Sequence, residues 1–293
     1  MTNKRDSFLS KKITIEINDD MDLEKIMNSG QAFRIKKMPD DSFRFVFGEH
    51  ILYIKPETSG RFSIETVNCL SPNKTAADEW KNVWSDYFDL GRKYRDIRKT
   101  VPASDSYMRK ACENGEGLRI LRQDPWEMLV TFIISQRKSI PAIKDAVEKI
   151  CEKYGKKLGT GHENIFLFPS AKDMEKATEA ELTECKLGYR VSYIRDAVDR
   201  VLTGGLDLNA LYALSYEEAF ERLKEVRGVG DKVSNCICLF AYSKTEAAPV
   251  DTWIAKVIEQ KYAGANPFPS YGDAAGIMQQ YIFYYALTHK DSL

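Results

Sequence analysis

A lysine and an aspartate, Lys232 and Asp251, stand 19 residues apart in a setting that suits amine chemistry. Lys232 lies in "EVRGVGDKVSNCICLF", just after a Gly-Val-Gly turn and at the head of an apolar helical stripe formed by Val233, Cys236, Ile237 and Phe240. A cation at a helix N-terminus opposes the macrodipole, at a cost of a few tenths of a kcal/mol. As a solvated first-turn lysine it would need no other explanation. The N-terminal field and a partly apolar wall from Cys236, at i+4, both favour the amine over the ammonium, and a neutral amine attacks electrophilic carbon. Asp251, in "AAPVDTWIAKVIEQKY", precedes a helix expected over Thr252 to about Tyr262, so it reads as an N-cap. Capping and chemistry are compatible, because a carboxylate held by backbone amides stays ionised and can stabilise a sugar cation.

These residues must be positioned by a helix-hairpin-helix at about 217–242. One helix covers Glu217 to Arg227, Gly228-Val229-Gly230 turns the chain, and a second helix covers Lys232 to Tyr242. The glycines let backbone approach a partner closely, and the amides opening the second helix suit a phosphate, whatever the base sequence. Glycines in a helix connection also occur for steric reasons alone.

The texture of the 293 residues changes once. From Ile13 to about Val67, "KITIEI", "SFRFVFGEHILYIKPE" and "RFSIETV" alternate or cluster β-branched and aromatic residues, as antiparallel strands do, interrupted by a short helix near "MDLEKIMNS". Beyond about Asn73 the apolar residues recur at helical spacing, and nearly all of the remainder is expected to be helix. The fold class is α+β, mostly α, with a sheet-rich domain over 1–115 and a helical catalytic domain over 116–293.

Composition is that of an ordinary globular protein, 43% hydrophobic and 29% charged. Basic and acidic residues number 43 each, so DNA binding has to rest on local sites rather than on overall charge. Cys69, Cys112, Cys151, Cys185, Cys236 and Cys238 lack zinc-site clustering and read as reduced thiols of an intracellular protein. The longest apolar stretch, "MLVTFII", is too short to span a bilayer. A short N-terminus without a transit peptide or basic nuclear cluster points to a prokaryotic cytoplasm rather than a nucleus.

Taken together, "ILRQDPWEMLVTFIIS", "LGYR", "GVGDKVSNCICLFA" and "PVD" resemble the eukaryotic-type 8-oxoguanine DNA glycosylases of the helix-hairpin-helix-Gly/Pro-Asp superfamily. The likeness runs from "SGQAFR" to the C-terminal helix. It implies a TBP-like antiparallel sheet domain ahead of the helical one, and a monomer acting on double-stranded DNA without cofactor or catalytic metal. It also implies that the lysine matching Lys232 attacks C1′ of the damaged nucleotide, forming a Schiff base that can eliminate the 3′ phosphate, while the aspartate matching Asp251 stabilises the developing charge.

For the pocket, the resemblance implies that the Gly30 carbonyl accepts N7–H of the oxidised base, which normal guanine lacks. Gln279 and Phe283 would read and stack on the base, with Cys236 on its other face. Tyr189 and Arg190 would wedge beside the vacated site and contact the orphaned base. The pattern departs in three places. Arg137-Lys138-Ser139 replaces an Asn-Asn-Asn run that fills the gap, Ala142 replaces an arginine that reads the opposite cytosine, and Trp253 replaces a histidine near a phosphate. Arg137 is therefore expected at the DNA, with relaxed preference for the opposite base. Two alternatives stand beside this reading: a glycosylase for another damaged base, and a non-catalytic hairpin module that only grips phosphate. Against the first, the chain lacks the iron-sulfur cysteine quartet of the endonuclease III branch, since no cysteine lies beyond Cys238.

Overall fold

The computed structural model describes residues 10–58, 60–68 and 75–289, so Cys69 lies outside the described residues. The chain opens with β1 (Ile13–Glu16), α1 (Leu23–Asn28), β2 (Lys36–Lys37), β3 (Phe43–Phe47), β4 (His50–Thr58) and β5 (Arg61–Asn68). These strands form one antiparallel five-stranded sheet in the order β1-β5-β4-β3-β2.

Both faces of the sheet are covered, which explains why its strands read as clusters rather than as clean apolar-polar alternation. Phe43, Phe45, Leu52, Ile54 and Ile64 point into the main core. Val46, Ile51, Tyr53 and Val67 point into a second, smaller core. The first face is closed by α2 (Ala76–Glu79), a π-helical turn over Trp80–Trp84, α3 (Ser85–Tyr87) and α4 (Tyr94–Lys99). Phe45 meets Tyr87 and Phe88 edge-on, with ring centroids 6.1 and 5.0 Å apart.

The remaining helices are α5 (Ser106–Asn114), α6 (Pro125–Ser135), α7 (Ile140–Tyr154), α8 (Ala171–Met174), α9 (Glu179–Glu184), α10 (Val191–Thr203), α11 (Tyr216–Lys224), α12 (Asp231–Phe240), α13 (Thr252–Lys261) and α14 (Ala275–Thr288). One departure from the expected all-helical remainder is a hairpin between α7 and α8, β6 (Lys157–Gly159) paired with β7 (Asn164–Phe166). Three-residue strands are too short for a period of two to show in sequence. Leu158, Ile165 and Leu167 from this hairpin cover the second face of the N-terminal sheet. Trp126 through Ile134 of α6 are all buried, as suits a helix apolar on every side, and α14 is buried over most of its length. Among the described residues no helix is long and apolar enough to cross a membrane.

Where the sheet meets α6 and α7, Arg34 pairs with Glu148 at 2.9 Å and donates to the Phe166 carbonyl. Glu127 on α6 is buried beside it. Burial raises the Glu127 carboxyl from its ordinary 4.5 to about 7, although Arg34 pulls the other way. The unfolded chain gives up this proton near pH 4.5 and the folded chain keeps it until about pH 7. Stability is therefore lost as pH rises across that window. Glu127→Gln should be about 1 to 3 kcal/mol more stable than the parent at pH 8 and near equal at pH 4.5. Thermal melts of both proteins at the two pH values check this; a difference independent of pH would refute it.

Candidate active site and DNA-facing surface

The hairpin forms as expected, with its first helix ending earlier, at Lys224, because Val226 N–H closes onto the Leu223 carbonyl and tightens the exit. Gly228 has φ +84, a left-handed conformation that favours glycine. A Cβ built there would lie 2.2 Å from Tyr193 Cδ2. Gly230 is the N-cap of α12, without a side-chain cap, and a Cβ built on it would meet nothing within 4 Å. The first amides of α12 are thus left for a ligand in open space. Ser234 Oγ donates to the Phe220 carbonyl and Tyr216 Oη to Asn235 Oδ1, which fixes α12 against α11.

Lys232 projects from the first turn of α12 with Nζ 5.2 Å from the centre of the Phe132 ring. Phe132 stacks in turn on Phe240, 5.6 Å away and 15° from parallel. Sequence reasoning missed Phe132, because inside "MLVTFII" it gives no signal beyond core. Cys236, one turn along, is buried; burial pushes its thiol up although Lys232 pulls it down, so it faces the amine as a neutral thiol. Asp251 caps α13, its Oδ1 accepting from Ile254 N–H at 2.8 Å.

Gly30, Phe132, Lys232, Cys236, Asp251, Gln279 and Phe283 line one cavity of about 50 Å³. That is room for one or two waters and not for a purine. Phe283 accounts for much of the closure: a Cβ on Gly30 would stand 3.0 Å from its ring. Gln279 is buried, and its Oε1 has no hydrogen-bond partner, an unmet acceptor inside the cavity wall. Larger clefts of about 720 and 690 Å³ do not include Lys232, whereas a groove of about 570 Å³ with Glu217, Asp231, Glu246 and Asp273 on its walls reaches it from outside.

Gly30 is set in a rigid frame. It follows Ser29, the C-cap of α1, and takes φ +75 as the chain turns away. The Ser29 carbonyl accepts from Gln280 Nε2 at 2.6 Å and the Gln31 carbonyl from Gln123 Nε2 at 2.9 Å. The Gln31 side chain, wholly buried, donates to the Arg119 carbonyl and accepts from Leu121 N–H. The peptide before Gly30 and the peptide after Gln31 are thereby held by side chains from α14 and from the segment before α6. Gln31 and Gln123 fall inside stretches quoted above and Gln280 follows Gln279, but nothing in the sequence marks them as supports of this turn.

The remaining site residues lie in two loops outside the cavity. Arg137, after α6, is exposed with φ +50, a costly conformation for a residue that is neither Gly nor Asn. Tyr189 is 51% exposed, and its ring packs edge-on to Tyr193 at 5.8 Å. Arg190 differs from the sequence expectation of an open contact. It is only 5% exposed, its guanidinium lies 4.3 Å over the Tyr189 ring, and it donates to the Leu187 and Gln136 carbonyls. Ala142 and Trp253 are half-buried in the first turns of α7 and α13.

Comparison with known proteins places this arrangement. Residues 12–129 match the family described as 8-oxoguanine DNA glycosylase, N-terminal domain, and residues 130–277 match the HhH-GPD superfamily base excision DNA repair proteins. A solved 8-oxoguanine glycosylase/lyase from Clostridium acetobutylicum, in complex with duplex DNA, superposes with TM-score 0.83 at 34% identity, covering 95% of this chain and 98% of that one. A probable N-glycosylase/DNA lyase from Methanothermobacter thermautotrophicus is 28% identical over 73% of this chain and 76% of its own length. The N-glycosylase/DNA lyase OGG1 of Arabidopsis thaliana is 28% identical over 90% of this chain and 77% of its own length. The chain belongs to the 8-oxoguanine DNA glycosylase family, within the helix-hairpin-helix base-excision repair superfamily.

Proposed function

We propose that this protein is a base-excision repair glycosylase/lyase that extrudes 8-oxoguanine from duplex DNA and removes it by amine catalysis at Lys232. The observation that carries the reading is the shared cavity: Lys232 and Asp251 line it together with Gly30, Cys236, Gln279 and Phe283. A base inside a duplex is out of reach, so the nucleotide is turned out at a cost of a few kcal/mol. Amides at Gly230 and the start of α12 grip the backbone and offset part of that cost.

Lys232 Nζ bonds to C1′ while the C1′–base bond breaks and the base leaves with the electron pair. The Asp251 carboxylate, held by Ile254 N–H, stabilises positive charge on the sugar. Opening of the sugar gives the Schiff base, from which loss of a C2′ proton expels the 3′ phosphate. Selectivity begins at Gly30, whose carbonyl accepts N7–H of the oxidised base and repels the N7 lone pair of guanine. The unmet Gln279 Oε1 suits the N–H donors on the Watson–Crick edge of a guanine ring. Phe283 swings off Gly30 to stack on the base opposite Cys236. Tyr189 and Arg137 fill the space left in the duplex.

Ala142 offers no donor to the opposite base, where a bidentate arginine would supply about 1 to 3 kcal/mol of discrimination. Base release from duplexes carrying 8-oxoguanine opposite each of the four bases, with guanine and an alkylated purine as controls, tests the reading. Release of 8-oxoguanine, spread over about tenfold or less among the four partners, is expected, and Ala142→Arg should sharpen the preference for cytosine. Release of the alkylated base alone would move the assignment to another glycosylase. A steep cytosine preference unmoved by Ala142→Arg would refute the role given to this position.

A further inference from the structure

The two loops beside the cavity are tied to each other, and to the hairpin, by side chains that donate to backbone carbonyls. Arg190 donates to the Gln136 carbonyl in the first loop, and Lys138 Nζ returns the tie to the Lys186 carbonyl in the second at 2.7 Å. Gln136 itself reaches the hairpin: its Nε2 donates to the Gly228 carbonyl at 3.0 Å and to Ile133 at 3.1 Å. Each loop also holds a non-glycine residue in the left-handed region, Arg137 at φ +50 and Lys186 at φ +61. Such conformations persist only where surrounding contacts over-determine them.

Gln136 thus touches all three segments proposed to face DNA. Its main chain meets the Tyr189–Arg190 turn, its side chain meets the Gly-Val-Gly turn, and Arg137 follows it directly. Gly228 is equally constrained from the other side, where the Tyr193 ring closes over it and also supports Tyr189. The Arg190 guanidinium, stacked on Tyr189 and hydrogen-bonded to two carbonyls, is buried by these contacts.

We propose that Gln136 and Arg190 are positioning residues that lock the Arg137 and Tyr189 loops to the phosphate-gripping hairpin, so that wedge insertion and backbone grip act as one unit. Arg190 serves this bracket instead of reading the orphaned base. The inference rests on the glycosylase reading above and assigns it the element that couples extrusion to binding. Loss of one bracket hydrogen bond then penalises the step in which a paired base is turned out, and leaves the chemistry on a base already out of the stack.

The test compares single-turnover excision of 8-oxoguanine from a fully paired duplex with excision from a one-nucleotide bulge, where extrusion costs little. Gln136→Met keeps the length of the side chain and removes the donor. It should slow excision from the paired duplex about tenfold and from the bulge less than about twofold, the scale of one hydrogen bond to a constrained carbonyl. Arg190→Lys, which keeps the charge and loses the two-pronged contact, should give the same split and leave the ranking of the four opposite bases unchanged. Equal loss on both substrates would overturn the proposal in favour of general damage, as would no loss on either. A changed ranking in Arg190→Lys would make Arg190 a base reader. Should Gln136→Met fail to fold, Arg190→Lys carries the same comparison. Wild-type protein inactive on both substrates would sink the glycosylase reading itself, a result distinct from any of these.

Discussion

Lys232→Gln should abolish the covalent adduct expected from borohydride trapping between the protein and a duplex carrying one 8-oxoguanine, and should lower base release by about a thousandfold or more. Reduction by borohydride needs a carbon–nitrogen double bond to the sugar, and in the cavity the amine is that of Lys232, against the Phe132 ring and the neutral Cys236 thiol. Glutamine keeps most of the side-chain length and has no nucleophilic amine. Because Lys232 is half-buried at the first turn of α12, with a ring as its cavity neighbour, the substitution should leave the fold and DNA binding in place. Denaturing gels after trapping read the adduct, and a binding titration on the same duplex reads affinity. Base release by the variant without an adduct would reassign Lys232 and leave Asp251 to activate water. No adduct and no release from the wild type, with binding intact, would favour the module that only holds DNA.

Which parts of this site are legible in sequence follows from what each residue answers to. Lys232 and Asp251 stand at helix starts, where a Gly-Val-Gly turn and a capping carboxylate write local and recognisable patterns. The strands of the N-terminal sheet are likewise legible through their β-branched and aromatic clusters. Gly30 is legible as a helix exit, where a left-handed turn favours glycine, and the fold puts it on the cavity wall. What stays hidden is the support built from distant chain. Gln31, Gln123 and Gln280 meet around Gly30 from positions up to about 250 residues apart, and polar side chains that satisfy particular carbonyls leave no period or spacing. Phe132 is hidden for the opposite reason, since a helix apolar on all sides gives no hint that one ring borders a cavity. The burial of Arg190 is hidden as well, since only the fold reveals the two carbonyls and the tyrosine ring it meets.

That division has an energetic reason. The chemistry is local, so its residues sit where short motifs shape the backbone. Selectivity is a matter of position. A carbonyl that must accept from N7–H and refuse a lone pair discriminates only if it cannot turn aside, and the chain around Gly30 is held at the Ser29 and Gln31 carbonyls by buried glutamines. The small cavity fits the same logic: on the proposed reading a base must displace Phe283 from Gly30, and a ligand that satisfies Gln279 Oε1 and the Gly30 carbonyl would compensate for the packing that is lost.

The same methyl group at the two hairpin glycines should differ in its effect on stability while both lose DNA affinity, and this contrast tests the phosphate grip. Gly228→Ala forces a left-handed alanine, at about 1 kcal/mol or more, and drives Cβ to 2.2 Å from the Tyr193 ring. The ring cannot yield freely, because it packs against Tyr189 on one side and lies under Arg227 on the other. The expected result is destabilisation by about 2 to 3 kcal/mol, with DNA affinity lowered at least about tenfold as the turn and the wedge shift together. Gly230→Ala meets no protein atom within 4 Å, and the backbone at φ −101 suits alanine. Its stability should change by less than about 1 kcal/mol. Yet the methyl enters the space in front of the α12 amides, where a phosphate oxygen must come close, so affinity for duplex DNA should fall about tenfold with the melting temperature almost unmoved. Melting curves and binding titrations on both variants separate the cases. If Gly230→Ala binds duplex DNA as tightly as the parent, these amides do not hold the backbone, and the hairpin serves only to present Lys232.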